Sequence, residues 1–374
     1  HTLGYVAAVS EKELTGDPLL ELPGFTIGKS GVEKVYDLAL RGTAGTSQVE
    51  VNALGRVIRE LEREEGDSGN TVVMTLDLEL QRYTNQRLSD QESAAAVVMD
   101  IHNGEVLALS SHPAYDPNAF TNGISHKLWN SLVNNPYAPL SNKAVNGTYA
   151  PGSTFKMCVA LAGLEAGIIS PNQKFFCNGH LDLGNARFHC WKRGGHGWMN
   201  MHDSIKHSCD VYYYEISQKI GIDRIAAMAN KLGLGEDTGI DLPNERSGLI
   251  PTKDWKEIQL GKRWQGGETL ISSIGQGYVL ATPLQLATMV ARIASGKAVK
   301  PHLTRDHVTP EGITSRQNEE FPELQVNRAN LARIRDGMNG VTNELRGTAH
   351  RSRIDIKGME MAGKTGTSQV RRIT

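Results

Sequence analysis

The chain has no excess of either charge. Its 40 Lys and Arg stand against 41 Asp and Glu, a formal net charge of -1, with a pI near 6.9. A dedicated nucleic-acid binder carries a basic footprint, so no nucleic-acid partner is expected. Long apolar runs are also missing. None reaches the ~18 to 20 residues of a membrane span. The apolar stretch from Cys158 to Ile169 is shorter, is interrupted by Glu165, and reads as a buried helix. There is no internal repeat and no low-complexity tract. Cysteine is scarce, with 4 in all. The sequence opens without Met or a signal-like start, and Thr374 stands a few positions beyond a Lys-Thr-Gly element. Both ends read as cut, so an anchor or a further domain is expected outside it.

What is present is enough for two domains: 374 residues, 39% of them hydrophobic. Residues 1–68 mix short strand-like runs with Gly and charge. Gly31 to Tyr36 opens a helical stretch, Val49 to Asn52 reads as a strand, and the polar, Gly-punctuated run Glu62 to Asn70 reads as a boundary or hinge. Residues 69–374 then form the second domain. Thr71 to Leu76 reads as a strand leading into a helix from Asp77. Two apolar runs, Ala94 to Met99 and Val106 to Leu109, flank His102-Asn103-Gly104, a hairpin signal. Helical periodicity dominates from Ser153 to about Leu232, and Gly363 to Val370 returns to strand character. Strands first, helices in the middle and a strand late give an α+β class, an antiparallel sheet with helices packed against it.

Three short pieces carry chemistry: Ser153-Thr154-Phe155-Lys156, Ser208-Cys209-Asp210 and Lys364-Thr365-Gly366 followed by Thr367. Pro151 and Gly152 set a turn ahead of Ser153, and Lys156 lies three residues on, on the same helical face. A hydroxyl is a poor nucleophile at neutral pH and needs an adjacent base. A Lys serves when burial and neighbouring positive charge favour its neutral form. Ser208 and Asp210 flank one backbone residue, so both can face one cleft. Ser208 is placed to relay a proton, and Asp210 to hold the network. The cation and hydroxyls of Lys364, Thr365 and Thr367 suit a carboxylate, and Gly366 lets the backbone approach a ligand.

In this order and with these wide gaps, the three pieces resemble the signature of penicillin-recognising serine acyl enzymes. The likeness covers nearly the whole chain. Gly31 to Tyr36, Arg41-Gly42 and Val49 to Arg56 resemble the non-catalytic, dimerisation-type pedestal of class B penicillin-binding proteins. Ala114 to Asn118, Ile274 to Tyr278 and Thr282 to Gln285 resemble stretches of their transpeptidase domain. The His196-Gly197 region and Ser208-Cys209-Asp210 favour the elongation-type subgroup, penicillin-binding protein 2. The family more often has Asn where Asp210 stands.

The resemblance implies a beta-lactamase-like transpeptidase domain with a helical subdomain, on a small α/β pedestal. It implies a peptidoglycan D,D-transpeptidase that cross-links stem peptides through a Ser153 acyl-enzyme and is trapped by beta-lactams, with an oxyanion hole from the backbone N–H groups of Ser153 and Thr367. It further implies no catalytic cofactor, an N-terminal inner-membrane anchor, a periplasmic catalytic domain, and a RodA-type glycosyltransferase among elongation-complex partners. A division-type transpeptidase, a beta-lactam sensor and a beta-lactamase are the alternatives within this fold.

Cys158 reads as core packing. Cys177, Cys190, His196 and Cys209, spaced C-x12-C-x5-H-x12-C, make a complete tetrahedral zinc set. His180, His189, His202 and His207 compete as ligands. A Cys177–Cys190 disulfide and three unrelated core thiols are the other readings. Related elongation-type enzymes can carry a metal near the second motif. Such a metal would be structural, bracing that motif from behind.

Overall fold

The structure is a computed structural model describing residues 1–121, 123–309, 312–315 and 320–368. Its first part is built from local pieces. Strands Val6–Ala8 and Thr26–Gly28 pair antiparallel, and helices Gly31–Val35 and Asp37–Arg41 follow. A hairpin of Thr46–Val51 and Val57–Glu64 then projects into solvent, almost wholly exposed. The Asn52 side chain closes its turn by accepting from the N–H groups of Leu54 and Arg56, each at 2.9 Å. Of the boundary expected over Glu62 to Asn70, the residues up to Glu64 belong to this strand and the rest are irregular.

Strand Thr71–Met74 pairs with Thr304–Thr309, which also pairs with Gly312–Ser315. Helix Leu78–Leu88 starts at Asp77, whose carboxylate accepts from Leu80 N–H at 2.9 Å. Strands Ala94–Met99 and Val106–His112 form the expected hairpin, with Val97 opposite Leu109. The two-residue turn signal is absorbed into a longer connection. Asn103 accepts from Glu105 N–H, and Gly104, at φ +80°, passes so close to Lys300 that a Cβ would lie 2.1 Å from its carbonyl oxygen.

The main core is helical. Helix Lys156–Glu165 is buried from its first residue to Leu164, and Asp210–Ile220, Ile222–Lys231 and Arg328–Asn343 pack against it, with Pro283–Ser295 adding Met289 and Ile293 to the same core. A helix apolar on every face belongs inside a core. Each fully buried Leu, Val or Met contributes about 1.5 to 3 kcal/mol. That burial is what carries Lys156 beneath the surface.

Two expectations are corrected. The helical block from Ser153 to Leu232 is interrupted by two antiparallel strand pairs, Phe175–Cys177 with Gly197–Met199 and His180–Leu183 with Ala186–His189. Their short alternation is too brief to stand out from helical spacing. The strand expected over Gly363 to Val370 is not formed by its described residues, up to Ser368; Gln369 and Val370 lie outside them. A strand needs a ladder, and among the described residues none pairs with this segment. It is fixed instead by helix Arg328–Asn343 and its C-terminal end. Gly363 N–H donates to Met338 O at 3.2 Å, and the amide of Asn343 donates to Met361 O at 2.9 Å.

Candidate active site

The nucleophile candidate sits on a turn that only glycine permits. Gly152 has φ +57°, and a Cβ there would lie 2.6 Å from Thr367 O. Its N–H donates to Gly275 O at 2.9 Å, which ties the turn to the segment after helix Gly266–Ser273. Gly152–Phe155 forms a 3-10 turn that runs directly into helix Lys156–Glu165. Ser153 is half-buried in that turn. Among the described residues its hydroxyl makes no hydrogen bond.

Lys156 is 0% exposed, and its ammonium has an acceptor for each of its three protons. It donates to Ser208 O at 2.9 Å, to Ser208 Oγ at 3.3 Å and to Asp210 Oδ1 at 2.6 Å. The second motif is shaped to offer these acceptors. Helix Met201–Lys206 stops, Ser208 takes the left-handed backbone at φ +53°, and helix Asp210–Ile220 begins. A Ser in that conformation costs about 1 to 3 kcal/mol. The reversal puts Ser208 and Asp210 on one side and the Cys209 side chain on another.

Lys364 closes the group. Its Nζ donates to Ser208 Oγ and to Thr365 O, each at 2.9 Å. Burial pushes its pKa down from 10.5 to about 7, the Lys156 charge adds to this, and Asp210 opposes it. Thr365 Oγ1 is 2.8 Å from Thr348 Oγ1. A Cβ on Gly366 would lie 2.9 Å from Pro151 O, so the third motif presses its backbone onto the first. Thr367 does the same against Gly152. Ser153, Lys156, Ser208, Asp210, Lys364, Thr365, Gly366 and Thr367 thus converge on one place. A cavity of about 220 Å³ is walled by Tyr149, Pro151, Thr154, Ala281, Leu286 and Gly366, and of the eight residues above only Gly366 lines it.

Behind the second motif, one ligand atom from each of Cys177, Cys190, His196 and Cys209 lies within 4.8 Å of the others. His196 Nδ1 is 3.6 Å from Cys177 Sγ and 3.5 Å from Cys190 Sγ. A tetrahedral zinc with ordinary bond lengths has N···S edges of about 3.6 Å and S···S edges of about 3.8 Å. The two N···S distances match such edges, and three thiols with one imidazole are a donor set whose chemistry suits a four-coordinate ion. The thiols of Cys177 and Cys190 are pushed down, first by hydrogen bonds from Cys209, and Cys209 is pushed up by donating them. All four cysteines are free, so the alternative Cys177–Cys190 disulfide is not formed. Both thiols face the imidazole instead. Cys158 packs in the core, and His202 points elsewhere, between Asp336 and Glu344.

A family model described as penicillin binding protein transpeptidase domain matches residues 94–372. The chain belongs to that family. A second model, penicillin-binding protein dimerisation domain, matches residues 1–74 of this penicillin-binding protein. The chain is 39% identical to the peptidoglycan D,D-transpeptidase MrdA of Escherichia coli strain K12 over 99% of its own length and 60% of that protein's. It spans only about three-fifths of the curated relative. Similar solved structures include two penicillin-binding proteins. The penicillin-binding protein PBP2 of Helicobacter pylori, in complex with MreC, has a TM-score of 0.88 at 36% identity, covering 99% of this chain and 67% of that one. PBP2 of Pseudomonas aeruginosa in complex with WCK 5153 has a TM-score of 0.85 at 35% identity, covering 100% and 79%. The mixed helix and sheet of the transpeptidase family is the fold described above.

Sequence reasoning missed one participant, Trp191. Its backbone N–H donates to Asp210 Oδ2 at 2.8 Å, and its indole N–H to Ser208 O at 3.0 Å. It stands next to Cys190, and nothing in its local sequence marks it. Gly275 was noted only as part of a family-like stretch. Its φ of +69° and its contact with Gly152 explain why a glycine stands there.

Proposed function

We propose that this chain is the acyl-transfer portion of an elongation-type peptidoglycan D,D-transpeptidase. The observation that carries this reading is the Ser208 hydroxyl, which accepts from both Lys156 and Lys364. It links the buried amine beside the nucleophile to the amine at the ligand rim. Lys156 in its neutral form takes the proton of Ser153 Oγ as that oxygen attacks the carbonyl carbon of the penultimate D-Ala. The amide bond breaks, and the proton passes by way of Ser208 Oγ to the departing D-Ala amine. An amine from a neighbouring stem then attacks the ester, and Ser153 recovers its proton. Water in place of that amine gives carboxypeptidase activity. Lys364, Thr365 and Thr367 hold the terminal carboxylate, and Gly366 leaves room for it. The N–H groups of Ser153 and Thr367 serve the oxyanion, a contribution of about 3 to 4 kcal/mol per donor in such sites.

The same reading makes beta-lactams inhibitors that acylate Ser153. Residues 1–68 are the pedestal, and residues 69–374 the transpeptidase domain. No helix among the described residues is long and apolar enough to cross a membrane. An inner-membrane anchor outside this sequence, a periplasmic site and a RodA-type partner are part of the proposal; a similar solved structure of a peptidoglycan synthase complex that coordinates polymerization and crosslinking supports a polymerase partner. The test is to incubate the folded chain with a penicillin and map the adduct. A single mass increment on the peptide containing Ser153, persisting for many minutes, is expected. An adduct elsewhere, or one cleared within seconds, would replace this reading with another enzyme class.

Cys177, Cys190, His196 and Cys209 would hold a structural zinc with no open position for water. The ion would fix the backbone around Cys209 and leave Ser208 and Asp210 free for chemistry. Protein purified without chelator is expected to contain about one equivalent of zinc, and chelator is expected to lower its melting temperature. Less than about a tenth of an equivalent, with melting unchanged by chelator, would remove the metal from the proposal.

A further inference from the structure

Between the second and third motifs stands a short turn that belongs to neither. Helix Arg328–Asn343 ends, and Arg346 takes the left-handed backbone at φ +66°. Gly347 then lies against the helix the chain has just left. A Cβ there would stand 2.3 Å from Val341 O and 2.4 Å from Gly340 O, so the main chain leaves no room for a side chain. Ala349 N–H donates back to Val341 O at 3.0 Å. The residue fixed between those two anchors is Thr348.

Thr348 reaches both motifs. Its N–H donates to Lys206 O at 3.3 Å, at the end of the helix that leads into Ser208. Its Oγ1 lies 2.8 Å from Thr365 Oγ1 in the third motif. Thr348 is exposed and Thr365 half-buried. Among the described residues neither hydroxyl has another hydrogen-bond partner. In an open site such a pair competes with water and adds little to stability. A bound ligand changes that. A hydroxyl has one proton to give and lone pairs to accept with, whereas a carboxylate only accepts. Once Thr365 gives its proton to a carboxylate, it can meet Thr348 only as an acceptor. The direction is then fixed: Thr348 O–H to Thr365, and Thr365 O–H to the carboxylate. Successive hydrogen bonds polarise one another, so the outer donor strengthens the inner one.

We infer that Thr348 is a positioning residue for carboxylate recognition, donating its hydroxyl proton to Thr365 and so aiming the Thr365 proton at the terminal carboxylate of the ligand. It touches no reacting atom. Its backbone bond to Lys206 keeps it in register with the second motif while its side chain serves the third. The inference extends the acyl-enzyme reading above and rests on it.

The experiment compares benzylpenicillin with its methyl ester on the folded chain, reading the second-order rate constant of acylation by intact mass. The ester keeps the reactive ring and loses the anionic acceptor. Thr348→Val, which replaces the hydroxyl with a methyl, is expected to slow acylation by the carboxylate form about fivefold, the size of one lost hydrogen bond. With the ester the same change is expected to stay within about twofold of wild type. Thr348→Ser keeps the donor and is expected to react with the carboxylate form within about twofold of wild type. Thr348→Ala keeps the backbone bond to Lys206 and serves if Thr348→Val does not fold. A Val or Ala variant within about twofold of wild type on the carboxylate form would overturn the inference. So would equal slowing with acid and ester, the mark of a merely structural role, or a Ser variant as slow as the Val one. Wild type acylated by neither compound would overturn the acyl-enzyme reading itself, and this inference with it.

Discussion

Lys156→Met is expected to abolish acylation and to destabilise the protein, whereas Ser153→Ala is expected to do only the first. Both remove a group the acyl-transfer reading requires, and a positioned base alone is typically worth 10²- to 10⁴-fold. Their stability effects differ because their surroundings differ. Ser153 is half-buried and its hydroxyl makes no hydrogen bond among the described residues, so Ala removes little. Lys156 is fully buried against Asp210, itself 7% exposed. Breaking a buried pair by removing one partner costs about 3 to 5 kcal/mol, since the remaining charge is left uncompensated. After Lys156→Met the Asp210 carboxylate keeps the Trp191 N–H but loses its cation. Neutralising the survivor in Lys156→Met/Asp210→Asn is expected to recover most of the stability and none of the acylation. Thermal or denaturant melting, read beside fluorescent penicillin labelling, checks all three variants. A single Lys156→Met as stable as wild type would mean the pair is not ionised. Normal labelling of that variant would take Lys156 out of the mechanism.

Ligand affinity is expected to weaken as pH rises from 6 to 8.5. Lys364, at about 7 rather than the ordinary 10.5, loses its charge inside that range. If only the ammonium form holds the ligand carboxylate, apparent affinity scales with the charged fraction, a loss of about 30-fold across that span. The folding effect has its own sign. Between about 7 and 10.5 the unfolded chain holds a proton on this residue that the folded chain has released, so stability rises with pH through that window. Below about 7 both states are protonated, and the cost of burying the ammonium is fully present. Affinity for a slowly acylating beta-lactam, measured before acylation, separates the two effects. Lys364→Arg keeps its charge at every pH tested and is expected to flatten the profile. A flat profile in the wild type would show that Lys364 does not hold the carboxylate.

The chemistry was easier to read from the sequence than the architecture around it. The three motifs stand out because the acyl-transfer reading calls for particular side chains at fixed local spacing, and Asp77 marks its helix start by the same kind of local rule. Cys209 could be assigned away from Ser208 and Asp210 from adjacency alone. The strand pairs of residues 175–199 were hidden because each strand is only three or four residues long, too brief for an alternating face to stand out. The Lys364 segment looked like a strand because its composition suits one, but composition does not reveal whether an edge is available to pair with. Trp191 was invisible as a participant, because it acts through Asp210 and Ser208, which only the folded chain brings near.

The turn bearing Ser153 and the segment bearing Gly366 meet main chain to main chain, with glycine on both sides and no room for a Cβ. A seam of this kind offers evolution no side chain to adjust. On the proposed acyl-enzyme reading, changes that spare catalysis while altering which beta-lactams react would have to be made away from this seam.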